Sequence, residues 1–391
     1  MNELTKIIKS IIKETGAITF DKFMELALYH NEYGYYTCGK NTTGKEGDYY
    51  TSPCVHPAFG EVTSRLIHKS YEVIGVSNFT IVEMGSGKGY LALDILDSTK
   101  RNYPNFYNCL NFMIIEKSRH QILQEKNLLK EHLYKIKWIN RISELKSTNI
   151  CGIFISNELL DSFPFHRARF EDGMLKEIFV DLKNDEFIEV IDDPSIKEIR
   201  DYLLDYNIDF TDYQEVEINL HAEKWLRDIA SVLDKGFVMT IDYGFLAPEL
   251  FNPTRSKGTY KCLYKHSIND NPYINIGKQD ITAHVDFSNL IRIGESVGLK
   301  TLKYTTQGQF LIDWGILDII ERATENNHQS EATRLKTIFS IKNLFLPEQM
   351  GDRFKILIQG KEVGEIINSL FPKSPFKLSI QSDTDIIDLN N

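Results

Sequence analysis

No run of apolar residues in this chain approaches the roughly 18 that cross a bilayer, so no membrane span is expected. There is no Cys-x-x-Cys pair and no His-Glu-x-x-His motif, which weighs against zinc, and no metal is expected. The five cysteines (Cys38, Cys54, Cys109, Cys151, Cys262) are scattered and odd in number, as suits a reducing compartment. Basic residues are outnumbered. Against 55 Asp and Glu stand 45 Lys and Arg, a net charge of −10 that argues against nucleic acid as the main partner. A secretory apolar segment and an arginine-rich, acid-poor presequence are both missing from the first residues. These enter an amphipathic helix at once, with Leu4, Ile7, Ile8, Ile11 and Ile12 on one face. The expected location is a bacterial cytoplasm, or the mitochondrial matrix only if a presequence lies outside this sequence. What is present is 391 residues, 42% hydrophobic and 26% charged, enough for two globular domains or one elaborated one.

The stretch Thr80-Ile81-Val82-Glu83-Met84-Gly85-Ser86-Gly87-Lys88-Gly89-Tyr90-Leu91 carries the strongest signal. Its apolar run reads as a buried parallel strand, its glycines as a sharp bend, and Leu91 to Leu96 as a helix. Strand, glycine bend and helix open a doubly wound α/β sheet, whose ligands lie at the carboxyl ends of the strands. A P-loop is excluded because Gly89 follows Lys88 and Val82 stands where the first glycine belongs. A dinucleotide fingerprint is excluded because Tyr90 holds the third glycine position. The remaining pattern, Glu-x-Gly-x-Gly-x-Gly, puts a carboxylate at the strand end. Such a group repels a pyrophosphate and can hold the ammonium of an amino acid. S-adenosyl-L-methionine (SAM) has that ammonium and no phosphate, so the pattern favours SAM. A nucleotide or a purely structural glycine turn stays open.

Regular alternation follows. Phe112 to Glu116 reads as a second strand, with Glu116 placed to take the ribose hydroxyls of an adenosine ligand; a solvated strand-end glutamate is the plain alternative. Ser118 to His132 reads as a helix, Ile136 to Ile139 as a third strand and Cys151 to Ile155 as a fourth. The fourth runs into Asn157, Glu158 and Asp161, a polar cluster at a central strand tip. Acceptors there can orient a methyl-accepting nitrogen, and paired carboxylates suit a guanidinium. Alternatively, Asn157 caps a following helix and Glu158 favours its dipole. His166 to Asp193 reads as β-hairpins turning at Asp172-Gly173 and Asn184-Asp185, and 195–234 as helix. Gly236 to Gly244, with Asp242 and Tyr243, is the fifth strand. A long polar segment over 253–287 reads as a functional loop. In it Arg255 could bind an acidic group and His284 could act as a base or donor, a satisfied structural histidine being the alternative. Phe287 to Gly298 reads as helix, Leu299 to Thr305 as a sixth strand and Phe310 to Thr324 as one helix. Phe354 to Gln359 reads as a seventh strand at an antiparallel edge. The glycine- and tyrosine-rich segment from Tyr29 to Pro53, including Tyr35, Tyr36, Gly44 and Gly47 to Tyr50, either covers the ligand or packs onto the sheet.

Assembled, these motifs resemble the MidA-like methyltransferases over about residues 4–361. The resemblance rests on Ala27 to His30 with Gly34-Tyr35-Tyr36, Gly47-Asp48-Tyr49 with Thr51-Ser52-Pro53, Phe59-Gly60-Glu61 and Glu83 to Gly87. It continues through Asn157 to Asp161 with Pro164, Asp242-Tyr243-Gly244, Arg255 with Gly258-Thr259, and Asp280 to Phe287. It implies a Rossmann-like class I SAM-dependent methyltransferase with an N-terminal helical region and an inserted α+β subdomain. The expected division is 1–75 N-terminal, 76–164 SAM-binding core, 165–235 insertion, 236–361 rest of the core and 362–391 polar tail. SAM is then held by Glu83, Gly85, Ser86, Gly87, Gly89 and Glu116, with Thr51, Ser52 and Pro53 alongside. Asn157, Glu158 and Asp161 are the catalytic candidates, and Asp242, Tyr243, Arg255 and His284 the substrate-side ones. The implied partner is a protein presenting arginine, as for the mitochondrial members that act on a respiratory complex I subunit; a homodimer is compatible with this. Cys54 departs from the glutamate many members carry there. A non-catalytic assembly chaperone and a small-molecule methyltransferase are the competing readings.

Overall fold

A computed structural model describes residues 2–39, 51–204, 206, 208–325, 330–364 and 370–371. Expectations on Gly44 and on Gly47 to Tyr50 fall outside these residues. The chain divides into two compact units. The sheet unit comprises Tyr50–Leu159, Arg227–Tyr243 and Gly294–Asn391, and the composite unit Met1–Tyr49, Leu160–Leu226 and Gly244–Ile293.

The sheet unit is built on seven strands: β1 (Phe79–Met84), β2 (Leu110–Ile115), β3 (Ile136–Ile139), β4 (Ile150–Asn157), β5 (Leu233–Phe245), β6 (Lys300–Thr306) and β7 (Phe354–Lys361). Their order is β6-β7-β5-β4-β1-β2-β3. Strands β1 to β5 pair in parallel, and β7 is antiparallel to both β5 and β6. This is the doubly wound α/β architecture expected. Helices α1 (Ala58–Ile74), α2 (Tyr90–Asn102) and α3 (Arg119–Leu128) accompany the first strands. Phe79, Ile81, Phe112, Ile153, Phe237 and Ile356 are almost wholly buried in one core. Each such side chain contributes about 1.5–3 kcal/mol relative to exposure. Parallel strands covered on both faces must be apolar throughout, and this is why they were visible as continuous runs.

Register aligns the strand tips. Met84 lies beside Ile115 and Ser156, and Ile241 beside Asn157. The chain order reverses between β1 and β4, the crevice where ligands of such sheets bind.

Several expectations need correction. Strand β7 lies between β5 and β6, inside the sheet rather than at its edge, and seven of its eight residues are buried. The helix expected over 310–324 is two, Gln307–Asp313 and Ile316–Glu325, broken where Gly315 adopts φ 84°. A further helix, Glu331–Phe345, escaped the sequence reading because its apolar residues surround it without a clear stripe.

In the composite unit, helices Glu3–Thr15 and Phe20–Tyr29 pack with a five-stranded antiparallel sheet. Its hairpins turn where expected. Asp172, Gly173, Asn184 and Asp185 all have positive φ, as a two-residue hairpin turn demands. The segment 195–234 is not all helix, however: Glu215–Ile218 is a strand paired with His166–Arg169. Nor is 253–287 an irregular loop, since Lys261–Tyr264, Ser267–Asn269 and Asp280–Thr282 form a small sheet. Among the described residues no helix is long and apolar enough to cross a membrane.

Gly315 tests the packing of the sheet unit. A Cβ there would come 2.2 Å from Arg65 Nη1, on a backbone that disfavours any side chain. Gly315→Ala should therefore destabilise the protein by about 1–3 kcal/mol in urea unfolding, with the far-UV spectrum unchanged.

Candidate functional site

The bend after β1 is fixed by its backbone. Gly85, Gly87 and Gly89 have φ of 68°, 56° and 82°, the left-handed region where a side chain is strained. Gly85 N donates to Ile115 O (3.3 Å) and Gly89 N to Ser86 O (2.8 Å); Leu93 N then donates to Gly89 O (3.0 Å), opening α2. A Cβ on Gly85 would come 2.8 Å from Leu159 Cδ1, whereas one on Gly87 would meet nothing within 4 Å among the described residues. The bend is thus closed against protein on one side and open at Gly87.

Acids surround it. Glu83 is 3% exposed, and its Oε2 has no hydrogen-bond partner among the described residues. Burial pushes its pKa up to about 8, and repulsion from Glu125 and Asp94 adds to this. Asp94 on α2 is pushed to about 7 by burial and by Asp97. Glu125 on α3 is also pushed to about 7 by burial, against the opposing hydrogen bonds from Ser86 and Trp138. Glu116 is raised by burial, while its Oε1 accepts from Ser118 N at 2.7 Å. None of these four carboxylates forms an ion pair with a Lys, Arg or His among the described residues. Buried acids without a counter-cation are costly, and they suit a ligand bringing positive charge while repelling a phosphate. The donor set therefore fits a sulfonium amino acid.

Sequence reasoning missed Asp94 and Glu125. A signal existed for Glu125, which shares the α3 face of Ile122 and Leu129, an unusual place for a charge.

Asn157 and Glu158 lie at the tip of β4. No helix follows them, so the capping alternative is excluded. Glu158 adopts φ 51°, rare for a residue with a side chain, and its N donates to Ile241 O (2.9 Å). Its Oε1 accepts from Asn157 Nδ2 (3.1 Å) and Ser52 N (3.3 Å). Asn157 Oδ1 and Ser156 Oγ are buried without a partner among the described residues. Ser52 is fully buried and donates from Oγ to Gln307 (2.9 Å), while Thr51 donates from Oγ1 to Cys54 Sγ (3.1 Å). Pro53 lies in the single helical turn Ser52–Val55. The 51–53 segment is thereby brought to the Glu158 carboxylate.

Asp242, expected on the substrate side, is fully buried and acts as a brace. Its Oδ2 accepts from Leu159 N (3.2 Å) and its Oδ1 from Tyr243 N (2.9 Å). The Tyr243 ring packs 4.1 Å from that of Phe354.

Asp161, Arg255 and His284 belong to the composite unit. Asp161 O accepts from Ala283 N at 2.9 Å. The Arg255 guanidinium lies over the Phe245 ring at 4.4 Å, and the His284 ring meets the same ring at 5.1 Å. Burial, then Arg255 and Lys261, lower the His284 pKa to about 4, so its imidazole is neutral at physiological pH. The tyrosines pack this unit as well. Tyr35 is buried in its core, and Tyr36 donates from its hydroxyl to Asp280 Oδ1 (2.7 Å).

A sequence model of the SAM-dependent methyltransferases matches residues 64–305. The chain belongs to this family. It is 25% identical to the human mitochondrial protein arginine methyltransferase NDUFAF7, over 90% of this chain and 83% of that one. It is 23% identical to the Drosophila melanogaster homologue, over 90% and 84%. A Burkholderia thailandensis protein solved with S-adenosyl-homocysteine superposes with a TM-score of 0.83, at 24% identity and 92% coverage of both chains. This methyltransferase takes SAM as its cofactor.

Two outcomes follow for the methyltransferase. Gly87→Val should abolish S-adenosyl-homocysteine binding by calorimetry, because its branched side chain enters the open side of the bend. The second concerns pH. Folded Glu83 keeps its proton up to about 8, whereas the unfolded carboxyl loses it near its ordinary value of 4.5. The folded state thus binds the extra proton, and its stability falls as pH rises from about 4.5 to 8. Between roughly pH 6 and 8.5 the Tm of the free protein should fall more steeply than that of Glu83→Gln. SAM affinity should rise over the same range, with proton release detectable by calorimetry in two buffers.

Proposed function

We propose that this methyltransferase methylates a guanidinium nitrogen of arginine in a protein substrate. The observation carrying the reading is the Glu158 carboxylate, on a strained backbone and held by Ser52 N and Asn157 Nδ2, beside an Asn157 Oδ1 with no partner among the described residues. Two fixed acceptor groups at one strand tip suit a planar donor with several N–H groups, and an ionised carboxylate suits its charge. Relatives at 23–25% identity that are named protein arginine methyltransferases support the same assignment.

Within this reading Glu83 takes the ammonium of the cofactor, the 85–89 bend its amino-acid end and Glu116 its ribose hydroxyls, with Thr51, Ser52 and Pro53 closing beside them. SAM supplies an electrophilic methyl on its sulfonium. Glu158 and Asn157 orient the accepting nitrogen and keep its lone pair directed; as the methyl passes to it and the cofactor leaves as the thioether, the Glu158 carboxylate receives the proton the nitrogen loses, directly or through water. Asp161, Tyr243, Arg255 and His284 are proposed to contribute on the acceptor side. The neutral His284 is suited to accept or donate one hydrogen bond, and Arg255 to hold an acidic residue flanking the target arginine.

Glu158→Gln keeps the shape and removes the charge. It should lower methyl transfer to protein by at least about 100-fold while S-adenosyl-homocysteine binding and Tm change little. The assay is incubation with methyl-labelled SAM and mass spectrometry of the modified polypeptide. Label on lysine or on a small molecule, with none on arginine, would overturn the acceptor assignment, and unchanged labelling by the variant would overturn the role of Glu158. A partner that binds and assembles normally without any methyl incorporation would favour the scaffold reading.

A further inference from the structure

We infer that Glu125 is a positioning residue for cofactor binding: it holds the glycine bend in its binding shape through the Ser86 hydroxyl and ties that bend to the indole of Trp138. The two oxygens of its carboxylate are divided between them. Ser86 Oγ donates to Oε1 at 2.6 Å, and Trp138 Nε1 donates to Oε2 at 2.6 Å. Glu125 is 0% exposed, so both bonds are shielded from competing water. Ser86 lies between two left-handed glycines in the bend, whereas Trp138 lies on β3, paired with Ile114 of β2. The carboxylate therefore connects a segment of high backbone freedom to a strand of the sheet.

The tether answers a specific need. Three glycines in a five-residue bend lose more backbone entropy on ordering than other residues, and no described residue packs on the open side at Gly87. Side-chain bonds from α3 supply the missing restraint. Gln121 donates its amide to Gly87 O from the same helix. Burying a carboxylate for this purpose carries a cost, seen in its raised pKa, and two short hydrogen bonds offset only part of it. A second effect favours retaining the cost: the charge of Glu125 acts on Glu83 and adds to the negative field around the bend.

The inference rests on the cofactor site and can fail separately from it. The probe is S-adenosyl-homocysteine, titrated by calorimetry and by the emission of Trp138 after Trp225 and Trp314, the other two tryptophans, are replaced by phenylalanine. Ser86→Ala and Glu125→Ala should each weaken binding by about 10–100-fold, the effect of losing a hydrogen bond to a charged group. Glu125→Gln can still accept from the indole and donate to Ser86, so, although it loses the charge, it should bind the probe at least about 3-fold more tightly than Glu125→Ala. Saturation with the probe should shift Trp138 emission with the same Kd that calorimetry gives. A lowered Tm with unchanged Kd in Ser86→Ala would make the bond merely structural and overturn the tether, whether or not Glu125→Ala folds. Failure of Glu125→Gln to rescue would overturn it too. Absence of probe binding by the unsubstituted chain would remove the site, and the tether with it.

Discussion

The rest of the structure depends on a carboxylate buried where no described residue gives it a cation. Glu83 ends a central parallel strand, loses nearly all contact with water, and leaves one oxygen unpartnered among the described residues. In a protein interior this is unfavourable by several kcal/mol if the group is ionised, so the free protein holds the proton instead. The same arrangement becomes favourable once a positive ligand arrives. Glu125, Asp94 and Glu116 extend that field, and the open side of the bend at Gly87 gives the ligand room. On the proposed reading, the site trades stability of the empty state for affinity toward a cationic cofactor.

The sheet makes such a trade possible. Strand register sets Met84, Ile115, Ser156 and Ile241 at one carboxyl edge, so acids on consecutive tips converge without long loops to place them. The interior is apolar and tightly packed, and its burial contributes the stability that offsets the cost of buried acids at the strand tips. Asp242 serves the same end from a different position. Wholly buried, it spends its oxygens on the backbone at Leu159 and Tyr243, and thereby steadies the segment that carries Glu158.

Much of this was legible from residues. Parallel strands covered on both faces must be continuous apolar runs, and each of the first five was found within a few positions; the glycine pattern with its acid named the bend. What was hidden depended on distant partners. The strand Glu215–Ile218 lies between stretches that read as helical, and only its pairing with His166–Arg169 makes it a strand. The interior position of β7 follows from which neighbours it meets, which periodicity cannot tell. For Asn157 and Glu158 two explanations fitted the letters, the functional one somewhat better. The absence of a following helix removed one of them, and the positive φ of Glu158 and its bond from Ser52, 106 residues away, could not be read locally. Glu125 gave only a faint sign, a charge on an apolar face, because its purpose is defined by Ser86 and Trp138 on two other elements.

The most direct test of the account is a crystal structure grown with S-adenosyl-homocysteine. The account predicts the ammonium of the ligand against the Glu83 carboxylate, its amino-acid end along Gly85 to Gly89 and its ribose hydroxyls on Glu116. Ligand bound elsewhere on the chain, or bound here with Glu83 turned away and its ammonium held by other groups, would contradict it.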